Sequence, residues 1–425
     1  MFRRLDLRGV TDLRTGLPRP AAAGAPLAVV REVLAEVRGG GDAAVRACTE
    51  RFDGVRVEEL RVPPGRAEAA LGGLATSLRA ALEEARANIA AFSEGQVPAD
   101  RRHERGGVVV RELVRPVDRA GVYVPRSEAP LMSTVLMTAV PARVAGVGEI
   151  VLCSAPGRDG EVAEGILAAA ALAGVDEVYR IGGAQAVAAM AYGTESVRPV
   201  DVIVGPGGVV VAQAKREVAG VVGVPSSFSG PSEVVVVADE TAPVEAAAID
   251  LIVQVEHGPD SVAWLVSWSE PVIEAVVARV AELAAAAPRR GVIEANLREN
   301  SWAALVEGPE QAIALANAIA PEHLELMVAD PEALVGRVRH AGAVFCGPDA
   351  PASVGDYVAG PSHVLPTYGS ARFAGALRVD DFLKRVNVVS LDAATLGRLA
   401  PHVVAIAEAE GLDAHARSVL ARGAR

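Results

Sequence analysis

Lysine is nearly missing. The chain has two lysines, Lys215 and Lys384, among 41 basic residues, a replacement by arginine that reads as coding bias and carries no function. No Lys/Arg cluster interleaved with aromatics occurs, and the net charge is -12, so a nucleic-acid surface or an anionic membrane surface is not expected. Cysteine is equally scarce. Cys48, Cys153 and Cys346 are odd in number, far apart and set in apolar stretches, which excludes a disulfide framework or a cysteine metal cluster and fits a reducing cytoplasm. Apolar runs are broken by Gly, Pro or charge about every dozen residues, too soon to span a bilayer. The first twenty residues lack the apolar stretch of a signal peptide.

What is present is apolar mass. Hydrophobic residues make up 51% of 425 positions, enough for two or three domain cores. Residues 28–96 place apolar side chains at three- and four-residue spacing and predict helices. A short strand is expected near 108–118. From residue 121 the runs "GVYVP", "EIVLC", "EVYRIGG" and "VDVIVGPGG" alternate with helical stretches, and a second series follows in "SEVVVVAD", "SVAWLVS", "SWAALV", "LELMVA" and "AGAVFCG". Such alternation predicts parallel sheets covered by helices. The fold class is therefore α/β, with two adjacent incomplete Rossmann-like units, a helical N-terminal region and a C-terminal extension. The expected divisions are an N-terminal segment 1–25, a first unit 121–233, a second unit from 26–120 plus 234–377, and an extension 378–425 that ends in a strand at "VNVVSL" and helices over 394–422.

Several stretches carry polar groups where packing alone does not ask for them. "IDLIVQVEHGPDS" ends an apolar helix with Gln254, Glu256 and His257, and Gln254 and His257 share one face of its last turn. Two donors on one face make half a metal site, while a polar cap at the negative end of the helix is the plainer reading. "APEHLEL" holds Glu322 and His323, suited to moving two protons or to forming a charged rim. "GDYVAGPSHVLPT" holds Asp356 and His363 in a long Gly- and Pro-rich loop, and "EGLDAH" holds Glu410 and His415. A Gln, His, Asp and His set drawn from separate segments suits Zn²⁺, although spacing does not show that the segments meet. Gly205-Pro206-Gly207-Gly208 between strand and helix offers amides to a phosphate or forms an ordinary tight turn. Ser232 sits at the mouth of a buried strand without the GxSxG elbow of a hydrolase.

Taken together and in order, "GDAAVRACTERFDG", "GVYVP", "APLMSTVLM", "IGGAQAVAAMAYGT", "GPGG", "AKREV", "GPSEVVVVAD", "QVEHGPDS", "IAPEHLEL", "GDYVAGPSHVLPT" and "AEAEGLDAH" resemble the histidinol dehydrogenase family from about residue 28 onward. The resemblance implies a homodimeric enzyme that oxidises L-histidinol twice, to L-histidine, using NAD and one Zn²⁺ per subunit. It implies Gln254, His257, Asp356 and, from the partner subunit, His415 as zinc ligands, and Glu322 and His323 as the acid/base pair. Ser232, Gln254, His257, His323, Asp356, Glu410 and His415 match substrate positions, and Tyr123, Gln185 and Gly208 match cofactor positions. Cys153 matches a family cysteine but reads as core.

The chain departs from the family pattern at Arg126-Ser127 for Gly-Gly, Gly208 for a cofactor-contacting Asn, Ser229 for Ala, Ala352 for Glu and Ser362 for Asn. Arg126 is placed to meet a phosphate or to favour NADP. These changes keep a second reading open, a paralogue with the same zinc chemistry that oxidises another small alcohol or amino alcohol with NAD or NADP. Mn²⁺ or Co²⁺ would also suit an N/O site.

Overall fold

The computed structural model describes residues 2–18, 24, 26–126, 129–227, 230–258 and 260–423. Its strands are β1 (Arg3–Asp6), β2 (Arg101–Arg105), β3 (Val108–Pro116), β4 (Arg119–Val124), β5 (Glu149–Ser154), β6 (Glu177–Arg180), β7 (Val202–Val204), β8 (Glu233–Ala238), β9 (Val262–Ser267), β10 (Ser301–Leu305), β11 (His323–Met327), β12 (Ala343–Cys346) and β13 (Leu383–Ser390). Among the described residues no helix is long and apolar enough to cross a membrane.

Both expected parallel sheets are present. Strands β4 to β7 form a four-stranded sheet in the order β6-β5-β4-β7, all parallel. In sequence order this is 3-2-1-4, half of a Rossmann sheet, with its switch point between β4 and β7. The second sheet runs β1-β10-β9-β8-β11-β12, also all parallel, and repeats the arrangement with a switch point between β8 and β11. The central strands are continuous apolar runs because helices cover both faces; in β8, Val234 to Val237 are all buried.

Two placements differ from expectation. The N-terminal helices Leu27–Asp53 and Thr76–Glu94 were assigned to the second unit, yet they pack on the four-stranded sheet. Val30, Val33 and Val37 join Tyr179, Ile181 and Ile203 in one core, and Leu82, Ala85 and Ile89 join Val122 and Ile150 in another. A four-stranded sheet leaves more apolar surface to cover than its own crossover helices can hide. Residues 3–6, set apart as a terminal segment, instead add the edge strand β1 to the six-stranded sheet through Trp302 to Leu305. A third sheet, β13-β3-β2, is antiparallel and joins the C-terminal extension to the chain before β4. Strand β2 reads Arg-Arg-His-Glu-Arg and is exposed throughout, so no apolar alternation announces it.

Candidate active site

Helix Val244–Val255 follows β8 and runs back, so its carboxyl end returns to the amino ends of the six strands. There it meets Ser232, just before β8, Glu322, just before β11, and His323, the first residue of β11. Ser232 therefore lies at the amino end of its strand, opposite the carboxyl end at which α/β sheets usually present ligands. The carboxyl-end rule holds for the other sheet, where Tyr123 near the end of β4 and Gly205 after β7 flank the switch-point crevice. A cavity of about 160 Å³ lies between the two sets, lined on one side by Gly205, Pro206 and Gly207 and on the other by Ser232, Glu322 and His363. A second cavity, of about 280 Å³, is bordered by His323, Asp356, His363 and Phe345.

The Glu322-His323 pair sits between these spaces and is buried, at 8% and 7% exposure. Glu322 Oε2 accepts the amide of Glu233 at 3.1 Å, which ties it to the neighbouring strand. On the other side the chain entering β12 approaches closely at Gly342, where a Cβ would stand 2.6 Å from the Glu322 carbonyl oxygen. The imidazole of His323 lies between two carboxylates, Nδ1 at 3.8 Å from Glu322 Oε2 and Nε2 at 3.7 Å from Asp356 Oδ1. Both distances exceed a hydrogen bond, and Nδ1 is buried without a partner among the described residues. Burial works against the imidazolium, but the charges of Glu322 and Asp356 outweigh it and raise His323 to about 9. Burial raises Glu322 above the ordinary carboxylate range despite the nearby His323. Asp356 also loses solvent, yet His323, His363 and His257 together hold it below its ordinary value. A carboxyl pushed up and a carboxylate held ionised, beside one imidazole, is the divergence expected of acid/base machinery.

The residues that the resemblance implies as zinc donors have different surroundings. Gln254 ends the helix buried, with Nε2 unpartnered among the described residues. His257 lies beyond the helix end rather than in its last turn, and its Nδ1 lies 2.9 Å from the Val253 carbonyl. A carbonyl accepts only, so Nδ1 carries the hydrogen and Nε2 keeps its lone pair, the form a metal requires. The charge of a protonated His257 would reach both Glu322 and Asp356. Among the described residues no three His, Cys, Asp or Glu side chains are grouped to hold a metal. His415 and Glu410 are exposed, in and before the last helix Asp413–Gly423, and border neither cavity. His363 is a satisfied histidine: Nδ1 donates to the Asp356 carbonyl at 2.8 Å and Nε2 meets Thr134 Oγ1 at 3.2 Å.

On the cofactor side, the buried hydroxyl of Tyr123 accepts the Gly183 amide at 3.2 Å, and buried Gln185 donates to Asp53 at 3.4 Å. Gly208 caps helix Val209–Val218 with extended backbone and no atom within 4 Å of where a Cβ would stand. Arg126 donates to the Pro156 carbonyl at 2.8 Å; Ser127 and Ser229 lie outside the described residues. Ser362 is self-contained, donating to Met137 and accepting from Val364. At Ala352 the backbone amide donates to Glu325 Oε1 at 3.2 Å. Buried Glu325 faces Asp250, and burial together with that second carboxyl raises it to about 8. Single-sequence reasoning missed this carboxyl pair. The signal was there, because Asp250 lies one turn before Gln254 and Glu325 two residues after His323 on the same strand face. Cys153 is fully buried and pushed up to about 12 by burial, an inert core thiol.

Two Rossmann-like units facing each other across a buried Glu-His pair define an α/β fold of the dehydrogenase kind. A family model for histidinol dehydrogenase matches residues 21–423. The histidinol dehydrogenase of Parasynechococcus marenigrum (strain WH8102) is 48% identical over 391 residues, covering 92% of this chain and 89% of that protein. That of Bacillus subtilis (strain 168) is 43% identical over 397 residues, covering 93% of each. The crystal structure of histidinol dehydrogenase from Elizabethkingia anophelis superposes with a TM-score of 0.94 at 32% identity, over 99% of this chain and 98% of that one. The chain belongs to the histidinol dehydrogenase family.

Proposed function

We propose that the protein oxidises L-histidinol to L-histidine through L-histidinaldehyde, with two NAD consumed, as a cytoplasmic homodimer serving histidine biosynthesis. The observation that carries this reading is the buried Glu322-His323 pair with half-buried Asp356 beside it, Glu322 bordering the cavity that the Gly205–Gly207 turn and the strand ends of the six-stranded sheet share. The unit on the four-stranded sheet would bind cofactor through Tyr123, Gln185 and the turn at Gly208. The unit on the six-stranded sheet would bind substrate through Ser232, His323 and Asp356, with Glu410 and His415 supplied by the partner subunit.

The donor set fits a divalent metal. Gln254 would offer its amide oxygen, His257 its Nε2 and Asp356 an ionised carboxylate. The partner subunit's His415 would complete an N/O site of the kind Zn²⁺ takes. Bound there, zinc would anchor and polarise the amino alcohol, and NAD would supply the hydride acceptor.

The chain's own residues handle the protons. His323, in its neutral form, takes the hydroxyl proton as the carbinol carbon gives up hydride, leaving an aldehyde. His323 then releases that proton to solvent, and Glu322, in its ionised form, takes a proton from water as the water oxygen bonds to the aldehyde carbon, giving a hydrate whose hydroxyl proton passes to the again neutral His323 in the second oxidation. The low exposure of both side chains keeps bulk water from competing.

The test compares L-histidinol with other small amino alcohols, using zinc-loaded protein and either NAD or NADP, with L-histidine identified chromatographically. Histidinol preferred by kcat/KM, with L-histidine as product, supports the reading. Turnover of another amino alcohol alone would move the protein to the paralogue that Arg126 and Gly208 leave open.

A further inference from the structure

The two lysines of this chain have opposite surroundings. Lys384 is exposed on β13, whereas Lys215 is 2% exposed inside helix Val209–Val218. A buried ammonium normally has a carboxylate beside it, because loss of hydration otherwise costs several kcal/mol. Lys215 forms no ion pair with a carboxylate among the described residues, and burial alone lowers it, to about 8. Its Nζ donates instead to two backbone carbonyls, those of Gly205 and Ser226, the latter at 3.4 Å.

Those carbonyls belong to the two segments that enclose the cavity between the units. Gly205 opens the turn after β7 that ends at Gly208, and its φ of 105° with a Cβ position 2.1 Å from the Tyr123 carbonyl oxygen allows no other residue. Ser226 lies on the connection that carries the chain from the four-stranded sheet to Ser232 and β8. Gly205, Ser226, Ser232 and Glu322 all border the 160 Å³ cavity, while Lys215 stands behind its wall.

We infer that Lys215 is a positioning residue for the cofactor, a buried clamp that holds the Gly205–Gly208 turn against the connection to Ser232 and so keeps the cofactor-side wall in register with the substrate side. This rests on the proposed function for the identity of the cofactor, though not for the clamp itself. Such a clamp needs two donors more than it needs a charge. Glutamine, whose amide has two N–H groups, should keep much of it, and methionine, similar in volume without a donor, should lose it.

The experiment measures NAD affinity by titration calorimetry for the parent protein, Lys215→Met and Lys215→Gln, together with zinc content, thermal midpoint and steady-state constants. The Met variant should bind NAD about tenfold or more weakly, the scale of losing one charge-assisted hydrogen bond. KM for histidinol and zinc content should stay within twofold, and the Gln variant should recover most of the NAD affinity. NAD affinity within twofold of the parent in a folded Met variant would overturn the proposal, as would equal loss in both variants or an equal rise in both KM values. Calorimetry needs no turnover, so a parent that binds NAD without oxidising histidinol would count against the proposed function and leave the Lys215 test intact.

Discussion

Gly208 offers a gain of function by a single addition. Its φ of -62° and ψ of 179° are ordinary for any L-residue, and the space where a Cβ would stand is open, so Gly208→Asn should fit without strain. Gly208 also occupies the N-cap of helix Val209–Val218, which has no side-chain cap hydrogen bond. Asparagine there should add a few tenths of a kcal/mol to stability, because its oxygen can accept a free amide of the first turn. The resemblance places an asparagine that contacts NAD at this position. One restored hydrogen bond is worth about 0.5 to 1.5 kcal/mol, a roughly two- to twelvefold gain in affinity. Calorimetric Kd and KM for NAD should both fall by that factor, with kcat and KM for histidinol unchanged and the thermal midpoint level or slightly higher. A Kd for NAD that stays the same or rises in a folded variant would refute the placement of the cofactor at this turn.

Other consequences are open to measurement. Glu322→Gln should slow the aldehyde-to-acid half more than the alcohol-to-aldehyde half, seen by following each half separately from histidinol and from histidinaldehyde; equal losses would contradict the hydration role. His257→Ala should lose zinc on dialysis, and metal content equal to the parent's would remove His257 from the ligand set. Lys215 holds its proton to about pH 8 when folded and to 10.5 when unfolded, so between those values the unfolded chain binds more protons and stability rises with pH. The stability of the parent relative to Lys215→Met, from denaturant titrations, should therefore improve by up to about 3 kcal/mol between pH 8 and 10.5. A gap that does not change with pH would mean that the ammonium is not desolvated.

How much could be read from the chain alone depended on whether a feature is local. The nine strands from β4 to β12 are short, largely apolar runs with breakers between them, so each was visible in its own residues. Strand β2 was not, because its five residues are all charged or His and it is held by pairing with β3 rather than by burial. The packing of Leu27–Asp53 on the four-stranded sheet is a tertiary choice that helical periodicity does not encode. At the site, Glu322 and His323 stood out as chain neighbours. Their relation to Asp356, thirty-odd residues away, was carried by the resemblance, since no spacing rule brings a loop back to a strand end. Glu325 and Asp250 were missed because each reads as an ordinary charged residue until the fold buries them face to face.

Counting reduced cofactor against limiting L-histidinol, with zinc-loaded dimeric protein and a chelated control, bears on the whole account at once. Two equivalents of NADH per histidinol, abolished by chelation and restored by zinc, is the outcome that the paired proton carriers Glu322 and His323 and the donors Gln254, His257 and Asp356 lead us to expect. One equivalent with aldehyde accumulating, or turnover indifferent to metal removal, would contradict it.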